Sequence, residues 1–269
     1  MENKTQPTPA DTTEPTYLEL LAYLGITRHL GGINATREMA KLCNIVAGMH
    51  ILDIGCGVGR SACRLAKMIG CKVTGVDLSP RMVAWANERA RKEKLTALVE
   101  FRQADAQSLP FEDEMFDALI VESVMVFVPD RPKAMSEFLR VVKPGGYIGL
   151  NESTWLKTPV PEEIVQKLSA LFNQADFTDA AGWNELLTTA GLKEIVSRVY
   201  ALTPGGDLRD RMRLNGFRGV LENIRNMISY YHNATPAQRE QFNRLLNAQR
   251  HSPKEFYEYQ GYGLYAGRK

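Results

Sequence analysis

The chain has 269 residues, 44% hydrophobic and 24% charged, and a formal net charge of +2. That length suits one α/β domain with added helices better than two independent domains. The balanced charge leaves no basic footprint for nucleic acid, and no apolar run reaches the roughly 18 residues of a membrane span. The expected partner is therefore a small molecule, with peripheral membrane contact and the oligomeric state left open.

Cys43, Cys56, Cys63 and Cys71 form no CxxC pair. This argues against a zinc ribbon or a disulfide framework and suits a reducing, cytoplasmic setting. His29, His50, His232 and His251 lack metal-ligand spacing, so no metal is expected.

In chain order, residues 1–16 are polar and rich in Thr and Pro, the composition of a flexible lead. Residues 17–48 read as lid helices that precede the sheet, with Thr36 as N-cap of a helix over Arg37–Ala47. Strand-like runs follow at His50–Ile54, Lys72–Val76, Leu98–Arg102, Ala118–Val121 and Tyr147–Asn151. Helical stretches at Arg60–Met68, Arg81–Lys94 and Arg131–Val142 separate them, and Pro144-Gly145-Gly146 reads as a turn. Such alternation predicts a doubly wound parallel sheet with helices on both faces.

Two further strands, Lys193–Ala201 and Tyr262–Gly267, flank a helical insertion. The core thus comprises residues 49–204 and 260–269, with 205–259 as a cap. In that cap Phe217, Val220, Leu221, Ile224, Met227, Ile228 and Tyr231 recur at helical spacing, the pattern of a surface helix with its apolar face on the core or of a lid closing over an apolar substrate. Arg211, Arg218 and Arg225 lie on another side of the same helix. Phe256, Tyr257, Tyr259, Tyr262 and Tyr265 crowd the end of the chain and are expected to include walls of an acceptor pocket.

The first strand runs into Asp53-Ile54-Gly55-Cys56-Gly57-Val58-Gly59, and a helix follows at once. Glycines there let the backbone approach a ligand, and the helix N-terminus offers free N–H donors. A dinucleotide fingerprint, GxGxxG, would require glycine at Arg60. Moreover, Asp53 would repel a pyrophosphate but suits an ammonium group. Asp77 ends the second strand, where a carboxylate can accept from both ribose hydroxyls or cap the next helix. Asp105 follows the third strand, able to accept from an exocyclic amine, with Phe111 offering an apolar face nearby. Three carboxylates at successive strand ends suit a nucleoside with a cationic amino-acid tail.

The segments ILDIGCGVG, VTGVDLSPRMVAWANERA, QADAQSLPFEDEMFDALIVESVMVFVPD and LRVVKPGG, in this order, resemble the motifs of class I S-adenosylmethionine-dependent methyltransferases, with a core similar to that of the sterol methyltransferases. The resemblance implies a seven-stranded, mostly parallel sheet with an antiparallel last strand. It implies that Asp53 and the loop of Gly55, Cys56, Gly57 and Gly59 hold the methionine end of S-adenosylmethionine. Asp77 would hold the ribose, near Leu78 and Met82, and Asp105 and Ala106 would meet the adenine. Leu30–Arg37 resembles a GGxxAT segment that closes over the cofactor in small-molecule members, making Tyr17, Tyr23 and Thr36 candidate contacts.

Methyl transfer asks mainly for alignment and exclusion of water, and for a base only if the acceptor loses a proton. Glu122, at the end of the fourth strand, and Glu152, past the fifth, are the candidates to contact the cofactor, orient the acceptor or take its proton. The expected acceptor is small and largely apolar: a quinone, terpenoid, sterol-like molecule or amine. A cofactor-binding protein without turnover is the competing reading.

Overall fold

The computed structural model describes residues 17–27, 29–172, 175–203, 221, 223–250 and 256–269. Two short helices, α1 (Tyr17–Leu24) and α2 (Gly32–Leu42), precede the sheet. Then β1 (His50–Ile54), β2 (Lys72–Asp77), β3 (Val99–Gln103), β4 (Phe116–Glu122) and β5 (Val142–Trp155) alternate with α3 (Arg60–Ile69), α4 (Pro80–Lys92) and α5 (Arg131–Val141). After β5 come α6 (Glu162–Leu171), the two-residue β6 (Thr178–Asp179), α7 (Ala180–Thr189) and β7 (Lys193–Ala201). The chain ends with α8 (223–233), α9 (Pro236–Arg250), α10 (Phe256–Tyr259) and β8 (Gln260–Arg268).

The strands lie in the order β3-β2-β1-β4-β5-β8-β7, with β6 paired to β5. β8 runs antiparallel to both β5 and β7, while the pairs from β3 to β5 are parallel. The expected seven-stranded sheet is present, with β6 as a small eighth member. β5 begins at Val142 and carries the Pro-Gly-Gly run within it, Gly145 taking φ 78°, where the sequence suggested a turn before the strand.

Alternation along the strands sorts their side chains onto two faces. On one, Leu52, Leu119, Ile148 and Leu150 pack under α5 and α7 with Phe116, Phe138, Trp183 and Tyr265. On the other, Ile51, Val73, Ala118 and Ile120 meet Met39 of α2, Ala62 and Leu65 of α3 and Ala86 of α4. Caps fix where helices begin. Ser79 accepts the Met82 N–H at 3.3 Å with Pro80 at the first turn, and Asp130 and Asp179 cap α5 and α7 in the same way.

Two expectations fail here. Thr36 does not cap a helix: α2 starts four residues earlier behind Gly31, whose φ of 71° ends the preceding loop. Of the apolar stripe on α8 only Met227, among the described residues, packs inward. Leu221, Ile224, Ile228 and Tyr231 are exposed, Ile228 by 66%, whereas Asn226, Tyr230 and Ala234 turn inward. Tertiary partners on α1 decide this, since Asn226 Nδ2 donates to the Leu24 carbonyl at 2.9 Å and Tyr230 packs on Leu20 and Leu24. Phe217, Val220, Arg211 and Arg218 lie outside the described residues.

Trp183 joins α7 to the sheet, fully buried, with its indole N–H donating to the Ser153 carbonyl at 3.0 Å. Trp183→Ala should cost about 3–5 kcal/mol in urea unfolding. A cost below about 1 kcal/mol would show that α7 is dispensable to the core.

Candidate functional site

Strand parity builds the site at the carboxyl ends of β1, β2, β4 and β5. Asp53 continues the face of Ile51, Glu122 that of Ala118 and Ile120, and Asn151 is the register partner of Glu122. All three therefore turn toward α2 and α3. Glu152, one residue on, belongs to the opposite face with Ile148 and Leu150. The two candidate catalytic carboxylates are thus separated by the sheet.

Between β1 and α3 the chain turns through Gly55 and Gly57, with φ of 65° and 54°. A Cβ on Gly57 would overlap the Thr27 hydroxyl, and one on Gly55 would overlap Val124. The loop is therefore covered from above by the segment after α1 and from the side by the loop after β4. Asp77 braces it: one carboxylate oxygen accepts the Gly57 N–H and the other the Ser79 N–H, each at 2.9 Å. Each oxygen keeps a further lone pair.

Asp53 is 2% exposed, and its Oδ2 has no hydrogen-bond partner. Burial first, then the neighbouring charges of Glu122 and Asp77, push its pKa well above the usual carboxylate range. Burial raises Asp77 as well, against its two backbone N–H donors. Glu122 is better served. Thr36 Oγ1 donates to it at 2.9 Å and Ser61 Oγ at 2.6 Å, and His29 Nδ1 stands 3.7 Å from Oε1. Thr36 thus reaches the site from mid-helix, on α2's buried face, as a donor to Glu122.

Sequence reasoning did not reach Ser61, Ser123 or Asn151. Leu30 is gripped from both sides, its N–H by Ser123 Oγ at 3.3 Å and its carbonyl by Asn151 Nδ2 at 2.9 Å. A position two residues past the last glycine of the loop was the available signal for Ser61, because the first turn of that helix must face the ligand. Ser123 and Asn151 carry no local signal, since a tertiary contact to Leu30 selects them.

The remaining candidates separate. Cys56 is buried in the loop, and Met82 packs with Val58 and Ala22, placing α1 over the loop. Leu78 is 69% exposed beside Asp77. Asp105 accepts the Gln107 N–H at 2.8 Å within its own turn, next to the half-buried Ala106. Tyr17 packs edge-on against Phe172 in a cluster with Leu20, Leu24, Tyr230 and Phe242, and Tyr23 lies under the Arg81 guanidinium. Phe111 is a core residue against Phe116. Tyr265 is likewise core, hydrogen-bonded to Thr154 at 2.8 Å, whereas Tyr262 lies against Gly31. Glu152 is wholly buried, and its Oε1 holds the Val124 and Met125 N–H groups at 2.9 Å each. Burial drives its pKa up to about 7 despite those donors.

Among the described residues, Asp53 Oδ2, His29 Nδ1 and Asn151 Oδ1 are buried polar atoms without a hydrogen bond on the side of the sheet that carries the glycine loop, and Glu152 Oε2 is another on the opposite face. Such atoms are rare in folded proteins, and each calls for a partner such as water or a ligand. The described residues contain no group of three metal-ligating side chains, and none of their helices is long and apolar enough to cross a membrane.

Residues 52–150 match a family model described as a methyltransferase domain. The chain is 37% identical over 163 residues to methyltransferase GfsG of Streptomyces halstedii, covering 60% of this chain and 59% of that protein. An uncharacterized protein of Haemophilus influenzae is 30% identical over 233 residues, covering 84% of this chain and 88% of its own length. Phosphoethanolamine N-methyltransferase 2 of Haemonchus contortus, solved with S-adenosyl-L-methionine, superposes with a TM-score of 0.68 at 23% identity. That likeness, which is one of fold, covers 94% of this chain and 57% of the other.

Glu152 predicts a pH effect. Its folded pKa of about 7 exceeds the ordinary 4.5, so the folded chain binds this proton more tightly than the unfolded one. Stability contributed by the protonated form is complete below about pH 4.5 and declines as pH rises to about 7, by about 3 kcal/mol in all. Glu152→Gln should flatten that part of the stability–pH curve in denaturant titrations. A variant with the slope of the parent would mean that Glu152 ionises in folded and unfolded chains alike.

Proposed function

The chain belongs to the class I S-adenosylmethionine-dependent methyltransferases, and from that membership we propose that it methylates a small, largely apolar organic molecule. The observation that carries the reading is buried Asp53, whose charge is disfavoured by burial first and then by the neighbouring carboxylates of Glu122 and Asp77. A cationic ligand relieves that repulsion, and the unpartnered Asp53 Oδ2 marks its place.

The residues present fit S-adenosylmethionine. Asp53 would accept from the amino group, and the Gly55–Gly59 loop would approach the methionine end with its backbone. Asp77, with one free lone pair on each oxygen, suits a vicinal diol such as ribose. Leu78 and Met82 would flank the nucleoside, and Asp105 and Ala106 would meet its adenine edge. When bound, this cofactor supplies the electrophilic sulfonium methyl. The protein's part is to bind, align and exclude water.

Glu122 holds two hydroxyl donors, which suits it to positioning more than to taking a proton. Glu152 is spent on shaping the loop after β4, at the mouth of the site. The cover supports an apolar acceptor. Tyr17, Leu20 and Leu24 of α1 pack with Tyr230, Ala234 and Phe242 of α8 and α9, while Ala22 rests on Val58 in the glycine loop. The apolar contacts of α1 with α8 and α9, and of Ala22 with the glycine loop, support reading α1 and these two helices as part of a cap.

Calorimetry on chelator-treated protein should show binding of S-adenosylmethionine and S-adenosylhomocysteine. Asp77→Ala should weaken both by about 1–3 kcal/mol, the cost of leaving ribose hydroxyls unpaired. Heat from a nicotinamide dinucleotide but not from these two ligands would overturn the assignment. Hydrogen exchange tests the cover: residues 17–27 and 223–233 should slow on adding S-adenosylhomocysteine, while Ile51–Ile54 stay protected throughout. Exchange at α1 and α8 that ignores the ligand would remove the cover from the site.

A further inference from the structure

We infer that Ser153 and Gln260 form the polar end of the acceptor pocket, and that the acceptor carries an uncharged hydroxyl for them to read. The inference rests on the methyltransferase reading above and adds the chemical class of the group that orients the substrate.

Strand parity and register bring the pair together. Asn151, Ser153 and Trp155 alternate along β5 onto one face. Across the ladder, β8 sets Tyr262 opposite Ser153 and Gln260 opposite Trp155. Partners in an antiparallel pair share a face, so these side chains stand on the side that Asn151 shares with Glu122. They lie at the carboxyl end of β5, where an open α/β sheet binds its ligands.

The pair has hydrogen-bonding capacity left over. Both residues are buried, and Gln260 Nε2 donates to Ser153 Oγ at 3.0 Å. Neither side chain has another hydrogen-bond partner among the described residues. A serine hydroxyl can also donate and a glutamine amide can also accept. The Ser153 hydrogen and the Gln260 carbonyl oxygen are therefore unspent. Turning the amide over changes only the labels, since Ser153 would then donate to Gln260 and leave an amide N–H beside a serine lone pair. In either arrangement a donor and an acceptor stand side by side. A hydroxyl uses both at once, whereas an ether uses the donor alone. On the same face, Asn151 Oδ1 is a further buried polar atom without a partner.

The frame around the pair is aromatic and uncharged. Trp155 is 8% exposed, donates its indole N–H to the Phe177 carbonyl at 3.2 Å and lies 5.5 Å from the Phe177 ring. Phe177 continues to Phe172 at 6.1 Å and Phe172 to Tyr17 at 5.0 Å, so a row of rings runs from the pair to α1. On the other flank Tyr262 stacks on Tyr200 at 5.0 Å and meets Gly31. Glu38 and Arg198, reached through the Tyr200 hydroxyl, pair with each other. No charge among Asn151, Ser153, Trp155, Gln260 and Tyr262 would neutralise a phosphate, and burying one unpaired is costly. An apolar body along the rings, with one hydroxyl at Ser153 and Gln260, suits this surface.

The test measures binding by calorimetry to the chain saturated with S-adenosylhomocysteine. Its probes are two matched series, one on a naphthalene ring and one on the branched chain of citronellol, each as free alcohol, methyl ether and phosphate monoester. On at least one scaffold the alcohol should bind the parent chain about fivefold or more tightly than its ether and its phosphate. Ser153→Ala and Gln260→Leu should each erase that preference, while binding of the ether and of S-adenosylhomocysteine stays within about twofold of the parent. Ser153→Thr, which keeps the hydroxyl, should retain the preference, and thermal unfolding confirms each fold. An ether or phosphate that binds as tightly as its alcohol on both scaffolds would overturn the inference. So would a preference that survives both Ser153→Ala and Gln260→Leu, or no alcohol bound on either scaffold. Failure of the parent chain to bind S-adenosylhomocysteine would instead sink the cofactor reading itself.

Discussion

Everything at this site follows from carboxylates being placed where water cannot reach them. Asp53 is nearly inaccessible, and Glu122 and Asp77 stand close enough to raise its pKa further. Left alone, such a group protonates or drives its surroundings apart. The protein answers in part with donors, two hydroxyls on Glu122 and two backbone N–H groups on Asp77. It leaves Asp53 Oδ2 unanswered. A fold that tolerates this cost without ligand gains differential affinity for a cation, because binding removes the penalty as well as adding a contact. Stability is spent at the position where recognition needs it.

The same constraint explains why two acidic residues adjacent to strand ends take different work. Glu122 and Glu152 look alike in sequence, each closing an apolar strand. Their parity differs relative to the sheet, so Glu122 joins α2 and α3 and Glu152 falls among Trp183, Tyr265 and α5. There its Oε1 gathers two backbone N–H groups of the loop after β4, where Ser123 takes a φ of 61°. That loop leads from β4 into the site. A buried carboxylate on the far face therefore fixes the conformation of the near one.

Much of this was legible in the residues. The glycine spacing and the three aspartates required only local pattern, and a doubly wound parallel sheet followed from the alternation of strands and helices. What escaped was decided by contacts between segments distant in sequence. Thr36 has the chemistry of a cap, yet Gly31 supplied the left-handed turn earlier and freed the hydroxyl for Glu122. The α8 stripe scored as a buried face, yet a hydrogen bond from Asn226 to α1 and the packing of Tyr230 rotated the helix the other way. α6 and α7 lie in a stretch to which the alternation assigns no helix, and Trp183 becomes central only once β5 and Arg131 surround it. In each case the local preference was real and a tertiary partner outweighed it.

The polar bonds that hold the N-terminal segment also set how the site can work. Leu30 is fastened to β4 and β5 through Ser123 and Asn151, and Thr27 lies on Gly57. Trp85 of α4 donates to the Ala22 carbonyl at 3.1 Å and backs the turn at Gly25. The contacts are few, hydrogen-bonded and peripheral to the two large cores, the kind that open locally at a small fraction of the cost of global unfolding. One end of the segment is thus anchored at the sheet and the other in the α1–α8–α9 cluster.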